Sequence, residues 1–351
     1  MKKQLPHFDF DDVLIVAKTK THINSRYDDI QLPDKLPLFT APMDTVVDLN
    51  NFELFMESNL NITLPRTVKY SDIVLRDVIH KNVFISFGFS ELDELGENNF
   101  DNLYSNAHIL IDVANGHMKK VIDYAKKIKK LRPDIVIMTG NIANPETYEW
   151  YCKNNCIDYV RVGIGNGGGC LTTKQSGIGY PMASLIQEIY EVKKKFIENN
   201  SKIKPPTIVA DGGMKDYSDI IKALALGADY VMIGSIFNKA FESCADNYLF
   251  KIKLNNKLAK YFFDRGYPVK KYFRGMSTKQ AQKAMGKSTL KTSEGVVRYR
   301  NVEYYLNSWV ENFEHYLRNA MSYSDAKTLT EFIGNANICQ ITKSAYDRFN
   351  K

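Results

Sequence analysis

The chain has 351 residues, 44% of them hydrophobic and 25% charged, with a formal net charge of +7. That much apolar material can bury a large core, as two average domains or as one large α/β barrel. The 40 acidic residues are dispersed among 47 basic ones with no repeated basic–aromatic interleaving, so no nucleic-acid partner is expected, and the positive balance suits attraction of phosphorylated small molecules.

At the N-terminus, Met1-Lys-Lys-Gln-Leu-Pro-His-Phe-Asp9 breaks before any apolar stretch of signal-peptide type forms. No apolar run reaches the length of a membrane span. A soluble, cytoplasmic protein with no membrane partner is expected. From about residue 36, short β-rich runs alternate with helix-length segments. The predicted strands are Leu38–Ala41, Ile62–Leu64, Val83–Gly88, Ile109–Asp112, Ile135–Thr139, Tyr159–Gly163, Thr207–Asp211 and Tyr230–Gly234. Most are continuous apolar runs, the pattern of parallel strands covered on both faces. Met118–Lys130, Ser184–Phe196 and Tyr217–Gly227 carry apolar residues three and four apart, as amphipathic helices do. Eight such units predict an α/β fold, a single (β/α)8 TIM barrel.

The unusual residues fall at one end of these strands. Pro42-Met43-Asp44 follows the first, Asp112 with Asn115-Gly116 the fourth, and Gly140-Asn141 the fifth. A loop with five glycines in seven residues, Gly163 to Gly169, follows the sixth and leads into Cys170-Leu-Thr-Thr173. Asp211-Gly212-Gly213 follows the seventh and Gly234-Ser235 the eighth. These points share the C-terminal mouth of a barrel, where sites of such enzymes are built. Alone, the glycine loop reads as a flexible surface loop beside an ordinary buried cysteine. Together with the turns after strands seven and eight, it points to a phosphate held by backbone N–H groups. Gly163-x-Gly165-x-x-Gly168 also satisfies a dinucleotide fingerprint, but glycines and Pro181 intervene before the next helical pattern, which argues against a mononucleotide-binding fold. The five cysteines, Cys152, Cys156, Cys170, Cys244 and Cys339, are an odd, scattered set that argues against a disulfide framework. Cys152 and Cys156 have no His or second Cys pair at ligand spacing.

Beyond residue 240 the rhythm is lost. The stretch to about residue 300 reads as an insertion at the barrel mouth, a flap and lid, and the remainder as C-terminal helices within the same 1–351 domain. In that remainder Tyr305, Trp309, Phe313 and Tyr316 stand at helical spacing and are expected in the core or at subunit contacts.

Taken together, these residues resemble the inosine-5′-phosphate dehydrogenase and guanosine-5′-phosphate reductase superfamily. The resemblance runs through Phe10-Asp-Asp-Val-Leu-Ile15, Ser25-Arg26, Met43-Asp-Thr-Val46, Gly140-Asn141 and Val162-Gly-Ile-Gly165. It continues through Cys170, Thr172-Thr173, Gly177-Ile-Gly-Tyr-Pro181, Asp211-Gly-Gly213, Arg274-Gly-Met276 and Glu294-Gly295. Three features favour the reductase branch. The span Val83–Ile109 is too short for the regulatory modules usual in the dehydrogenases; Ile111-Asp-Val-Ala-Asn-Gly116 resembles the reductase form of its motif; and no Arg or Tyr lies between Gly275 and Glu294, where dehydrogenases carry a water-activating pair.

The resemblance implies NADPH-dependent reductive deamination of GMP to IMP and ammonia, through a covalent purine intermediate on Cys170, with Thr172 and Glu294 handling protons. It implies Asp211 at the ribose, and Gly168, Gly169, Gly212, Gly213, Gly234 and Ser235 around the phosphate. Met43, Gly275 and Met276 should border the base, and Asp112, Asn115, Gly116 and Asn141 the cofactor. It further implies a homotetramer, and a potassium ion on the backbone carbonyls of Gly165, Gly167 and Cys170. The chain departs from the family pattern at Gly168, usually a serine, at Leu171, usually a threonine, at Phe273, often a phosphate-binding tyrosine, and at Leu64-Pro-Arg66 in place of His-Lys. A compact dehydrogenase, a reductase of a modified purine nucleotide, and a catalytically silent nucleotide-binding or assembly protein remain as alternatives.

Overall fold

A computed structural model describes residues 6–75, 83–99, 103, 105–199 and 203–349; Met1 to Leu5, on which the reading of the N-terminus largely rests, lie outside them. Strands run in chain order as β1 (Val13–Val16), β2 (Leu38–Thr40), β3 (Thr63–Leu64), β4 (Phe84–Phe87), β5 (His108–Asp112), β6 (Val136–Ile142) and β7 (Tyr159–Val162). They continue as β8 (Thr207–Asp211), β9 (Tyr230–Ile233), β10 (Asn247–Leu249), β11 (Ile252–Leu254), β12 (Lys270–Arg274), β13 (Val297–Asn301) and β14 (Asn337–Gln340).

Strands β2 to β9 form one parallel sheet in the order β2-β9-β8-β7-β6-β5-β4-β3. Its two ends meet where Phe39 bridges Asn61, with the Thr40 amide donating to the Asn61 carbonyl and the Asn61 amide to Leu38, each at 2.9 Å. The sheet is thus a (β/α)8 barrel, as the alternation predicts. Apolar side chains fill both of its faces. Phe39, Phe84, Leu110, Met138, Val209 and Met232 form a cluster inside the barrel, and a larger cluster lies between strands and helices. Trp309 and Phe313 on helix Leu306–Tyr323 are buried in that outer layer, whereas Tyr316 on the same helix is largely exposed.

Three local features differ from expectation. Strand β6 does not stop at Thr139: it runs on through Gly140-Asn141 to Ile142, with a register shift against β7 and a cis Gly140–Asn141 peptide. The stretch after residue 240, expected as a flap and lid, carries strands that its sequence did not predict. It contains an antiparallel sheet in the order β11-β10-β12-β13, with helices Asn256–Phe263 and Lys279–Ala284. The third is a pairing of the chain's two ends, β1 with β14, antiparallel from Val13 opposite Gln340 to Val16 opposite Asn337. Among the described residues, no helix is long and apolar enough to cross a membrane.

Candidate active site

The glycine loop leaves β7 and turns tightly, the Cys170 amide donating to the Gly167 carbonyl at 2.9 Å. It then pairs with the flap. Leu171 donates to the Glu294 carbonyl (2.7 Å), Val296 to Gly169 (3.1 Å) and Gly275 to Val296 (3.0 Å), with Cys170 opposite Gly295. A β-carbon on Gly275 would stand 2.5 Å from the Gly169 carbonyl oxygen, so only glycine admits this approach. The zipper carries Glu294 to a residue 122 positions earlier. The Cys170 thiol donates to Thr172 Oγ1 at 3.2 Å, and Thr172 Oγ1 donates to Glu294 Oε2 at 3.0 Å. Cys170 and Thr172 are half-buried and Glu294 is exposed. Thiol, hydroxyl and carboxylate therefore form a continuous proton path, and the three residues expected to do the chemistry are brought together.

Beneath them lies a charged cluster. Arg161, in the middle of β7, is buried. It donates through Nη1 to Asp112 Oδ1 (2.7 Å), and through Nε (3.1 Å) and Nη2 (2.7 Å) to Asp211 Oδ2. Asn141 Nδ2 adds a fourth bond, to the same Asp211 oxygen at 2.7 Å, and also reaches the Gly163 carbonyl at 2.8 Å. Burial alone would lower the Arg161 pKa, but Asp211 and Asp112 outweigh it and the net shift is upward. The aspartate expected at the ribose and the one expected at the cofactor are thus braced by one guanidinium. Asn141, expected at the cofactor, ties Asp211 to the Gly163 carbonyl.

The remaining loops meet on the other side of Cys170. Gly212 takes φ +92°, and a β-carbon there would lie 2.9 Å from the Gly167 amide nitrogen, so the loops after β7 and β8 touch through bare backbone. Gly213 faces Asn166, the Met43 sulfur packs over Gly234, and Ser235 and Arg300 flank Gly168. Phe273 is buried, its ring against Gly169. Met276 follows the buried Gly275 on the flap and is half-buried.

Asp112 leaves one oxygen, and Asn115 its amide NH2, without a partner among the described residues, while Asn115 Oδ1 accepts the His117 amide at 3.0 Å. Gly116 is pressed against Asn141, its amide donating to that carbonyl at 2.8 Å. A carboxamide-bearing ring fits such free polar groups at the mouth. Arg66, in place of the family's His-Lys, is tied to Glu91 at 3.0 and 2.5 Å. No cluster of His, Cys, Asp and Glu among the described residues could hold a metal ion. Of the three carbonyls expected to hold potassium, that of Gly167 accepts the Cys170 amide at 2.9 Å.

Sequence reasoning missed Arg161, Arg300 and the Arg274–Asp44 ion pair. Arg161 had a signal. A charge inside an apolar parallel strand is almost never buried unless paired, and aspartates end the fourth and seventh predicted strands.

A barrel with a cysteine, a hydroxyl and a carboxylate assembled at its C-terminal mouth defines an enzyme of the TIM-barrel class. Residues 94–348 match the family model described as IMP dehydrogenase / GMP reductase domain. The chain belongs to that family. It is 28% identical to a GMP reductase of Caenorhabditis elegans, in a match that covers 98% of this chain and 94% of the relative. It is 31% identical to a GMP reductase of Staphylococcus saprophyticus, covering 73% of this chain and 76% of that one. An inosine-5′-monophosphate dehydrogenase of Chlorobaculum tepidum is 30% identical, covering 67% of this chain and 45% of that relative.

Proposed function

We propose that this protein is a cytoplasmic, homotetrameric GMP reductase that converts GMP to IMP and ammonia at the expense of NADPH. The observation that carries this reading is the Cys170–Thr172–Glu294 chain at the barrel mouth, beside a flap that has no Arg or Tyr between Gly275 and Glu294 to activate water.

The thiol proton passes along the path, Thr172 giving its own proton to Glu294 as it takes that of Cys170. Cys170 Sγ bonds to purine C2. The proton held at Glu294 returns through Thr172 to the 2-amino group, the C2–N bond breaks, and ammonia leaves a thioimidate on Cys170. The proton removed from the thiol is the one the amine needs, so this half-reaction balances. NADPH, when bound, supplies the hydride that C2 then requires. Rupture of the C2–S bond releases IMP and regenerates the thiolate, which takes a proton from solvent. Proton handling of this kind contributes about 10²–10⁴ in rate.

Asp211, with Oδ2 committed to Arg161 and Asn141, has Oδ1 for the ribose hydroxyls. Gly168, Gly169, Gly212, Gly213, Gly234 and Ser235 surround the phosphate; Met43, Gly275 and Met276 border the base; Asp112, Asn115 and Gly116 line the cofactor side. A potassium ion on the Gly165, Gly167 and Cys170 carbonyls would hold the loop shape. The test is turnover of purified protein in two mixtures, GMP with NADPH and IMP with NAD⁺. Loss of reduced cofactor with ammonia release in the first, abolished by Cys170→Ala, is the expected result. Formation of reduced cofactor in the second alone would overturn this reading in favour of a compact dehydrogenase.

A further inference from the structure

Arg300 lies on β13, opposite Lys271 of β12. The strand is an edge of its sheet, where a long basic side chain would ordinarily reach into solvent. Arg300 turns inward. Its guanidinium carbon sits 4.2 Å from the centre of the Phe273 ring. Nη1 donates to the Ser235 carbonyl at 3.5 Å, at the limit of a hydrogen bond. Nη2 stands 3.3 Å from the position a β-carbon on Gly168 would take. One half-buried cation therefore spans the gap between the loop after β7 and the loop after β9.

It does so without a counter-ion. Among the described residues no carboxylate lies within ion-pairing distance of Arg300, and the long bond to Ser235 is its one hydrogen bond. A guanidinium carries five N–H donors in a rigid fork, and holding such a cation out of water unpaired is costly. Burial, and then the nearby Arg298, push its pKa below the usual guanidinium value, with Glu303 and Tyr304 opposing; it remains charged at neutral pH. The neighbouring backbone is equally unsatisfied, since the amides of Gly168, Gly169 and Ser235 donate to no acceptor among the described residues. Unpaired donors of both loops adjoin an unpaired cation, and an anion with several oxygens would satisfy them together.

We propose that Arg300 grips the 5′-phosphate of the purine nucleotide, its fork taking the place of hydroxyl donors that Gly168 and Phe273 cannot provide. The position suits this in two ways. Gly168 leaves open the volume into which Nη2 extends, and the flat Phe273 ring, which has no hydroxyl, supports the guanidinium plane. The assignment rests on the purine-nucleotide reading of the site, but it concerns binding and not the chemical step. Because Arg300 also bridges the β7 and β9 loops to the flap sheet, a filled phosphate subsite would draw those parts together.

The test is calorimetric titration of the full chain, and of Arg300→Ala, with GMP, guanosine and inorganic phosphate, alongside steady-state turnover. Arg300→Ala is expected to weaken GMP binding by about 10- to 100-fold, the effect of losing a hydrogen bond to a charged group. Guanosine binding should change less than about twofold, so the ratio of GMP to guanosine affinity collapses. In turnover the KM for GMP should rise while kcat is held, as for a contact made equally in ground and transition states. Arg300→Gln, which keeps the stem over Phe273, gives the same comparison if the alanine variant does not fold. Arg300→Lys should recover part of the ratio through its charge alone. Gly168→Ser added to Arg300→Ala should also recover part of it, by returning a hydroxyl to the loop.

An unchanged ratio in both neutral variants, or an equal loss of guanosine binding, would overturn the assignment. Phosphate binding that depends on Arg300 while GMP binding does not would also overturn it, placing a free-anion site there. The two readings separate cleanly. Arg300-dependent GMP binding without NADPH-linked turnover sinks the reductase and leaves this inference standing. Turnover with an Arg300-independent ratio sinks this inference alone, and a protein that binds neither GMP nor IMP sinks both.

Discussion

Arg161 decides how rigid the site is. Two carboxylates at the barrel mouth would repel one another. One buried guanidinium satisfies an oxygen of each and leaves the other without a hydrogen-bond partner among the described residues. Removing one partner of such a buried set strands the rest, which costs about 3–5 kcal/mol. Arg161→Met should therefore lower unfolding stability by roughly that amount, measured by denaturant titration. Asp112→Asn, which keeps Arg161 paired with Asp211, should cost distinctly less. Equal losses would show that the arginine is not the hub. At this scale Cys170, Thr172 and Glu294 were singled out through the family resemblance, and the structure brings them within hydrogen-bond distance. Arg161 and Arg300 were not, since an arginine in a strand declares nothing until its neighbours in space are known. Asn141 was legible as special from its motif, but its bond to Asp211 was not.

At the scale of elements, short helices and hairpins must hold these groups at the end of the barrel. Helix Tyr217–Ala225 packs its charged start against the rest of the fold. Asp219 is buried there, bonded to the Lys215 and Asp216 turn. Burial, and next in effect among the raising causes the neighbouring Asp216, push its pKa up to about 6. The folded state thus holds the proton more tightly than the unfolded chain, whose carboxyl has its ordinary value of 3.8. Stability contributed by this group is present at low pH and is lost as pH rises from the unfolded value through about 6. Thermal melts of the wild type and Asp219→Asn should differ most above that window, the asparagine variant being the more stable, and should converge towards pH 4. A constant offset across the range would deny the titration. The flap was the least legible element. Its strands mix charged and aromatic residues, Lys270-Lys-Tyr-Phe-Arg274 and Val297-Arg-Tyr-Arg-Asn301, and lack the apolar run that marked the barrel strands. What orders them is pairing with one another and with the glycine loop.

Over the whole molecule, the parallel barrel supplies a fixed rim and the antiparallel flap sheet supplies the missing carboxylate. The eight barrel strands could be read because parallel strands buried on both faces are continuously apolar. The β1–β14 pair could not, being four residues on each side, partly exposed, and more than three hundred residues apart in the chain. Strand β6 overran its predicted end because Gly140 and Asn141 read as a turn when taken alone. Central to the proposed function is the replacement of an amino group at purine C2 by hydride, through Cys170. The direct measurement is the fate of the hydride: GMP is turned over with NADPH carrying deuterium at the transferred position, and the product is examined by mass spectrometry and NMR. The expected product is IMP with one deuterium at C2, formed in step with one ammonia, and neither is expected from Cys170→Ala. Unlabelled product, ammonia released without cofactor oxidation, or label retained in Cys170→Ala would contradict it.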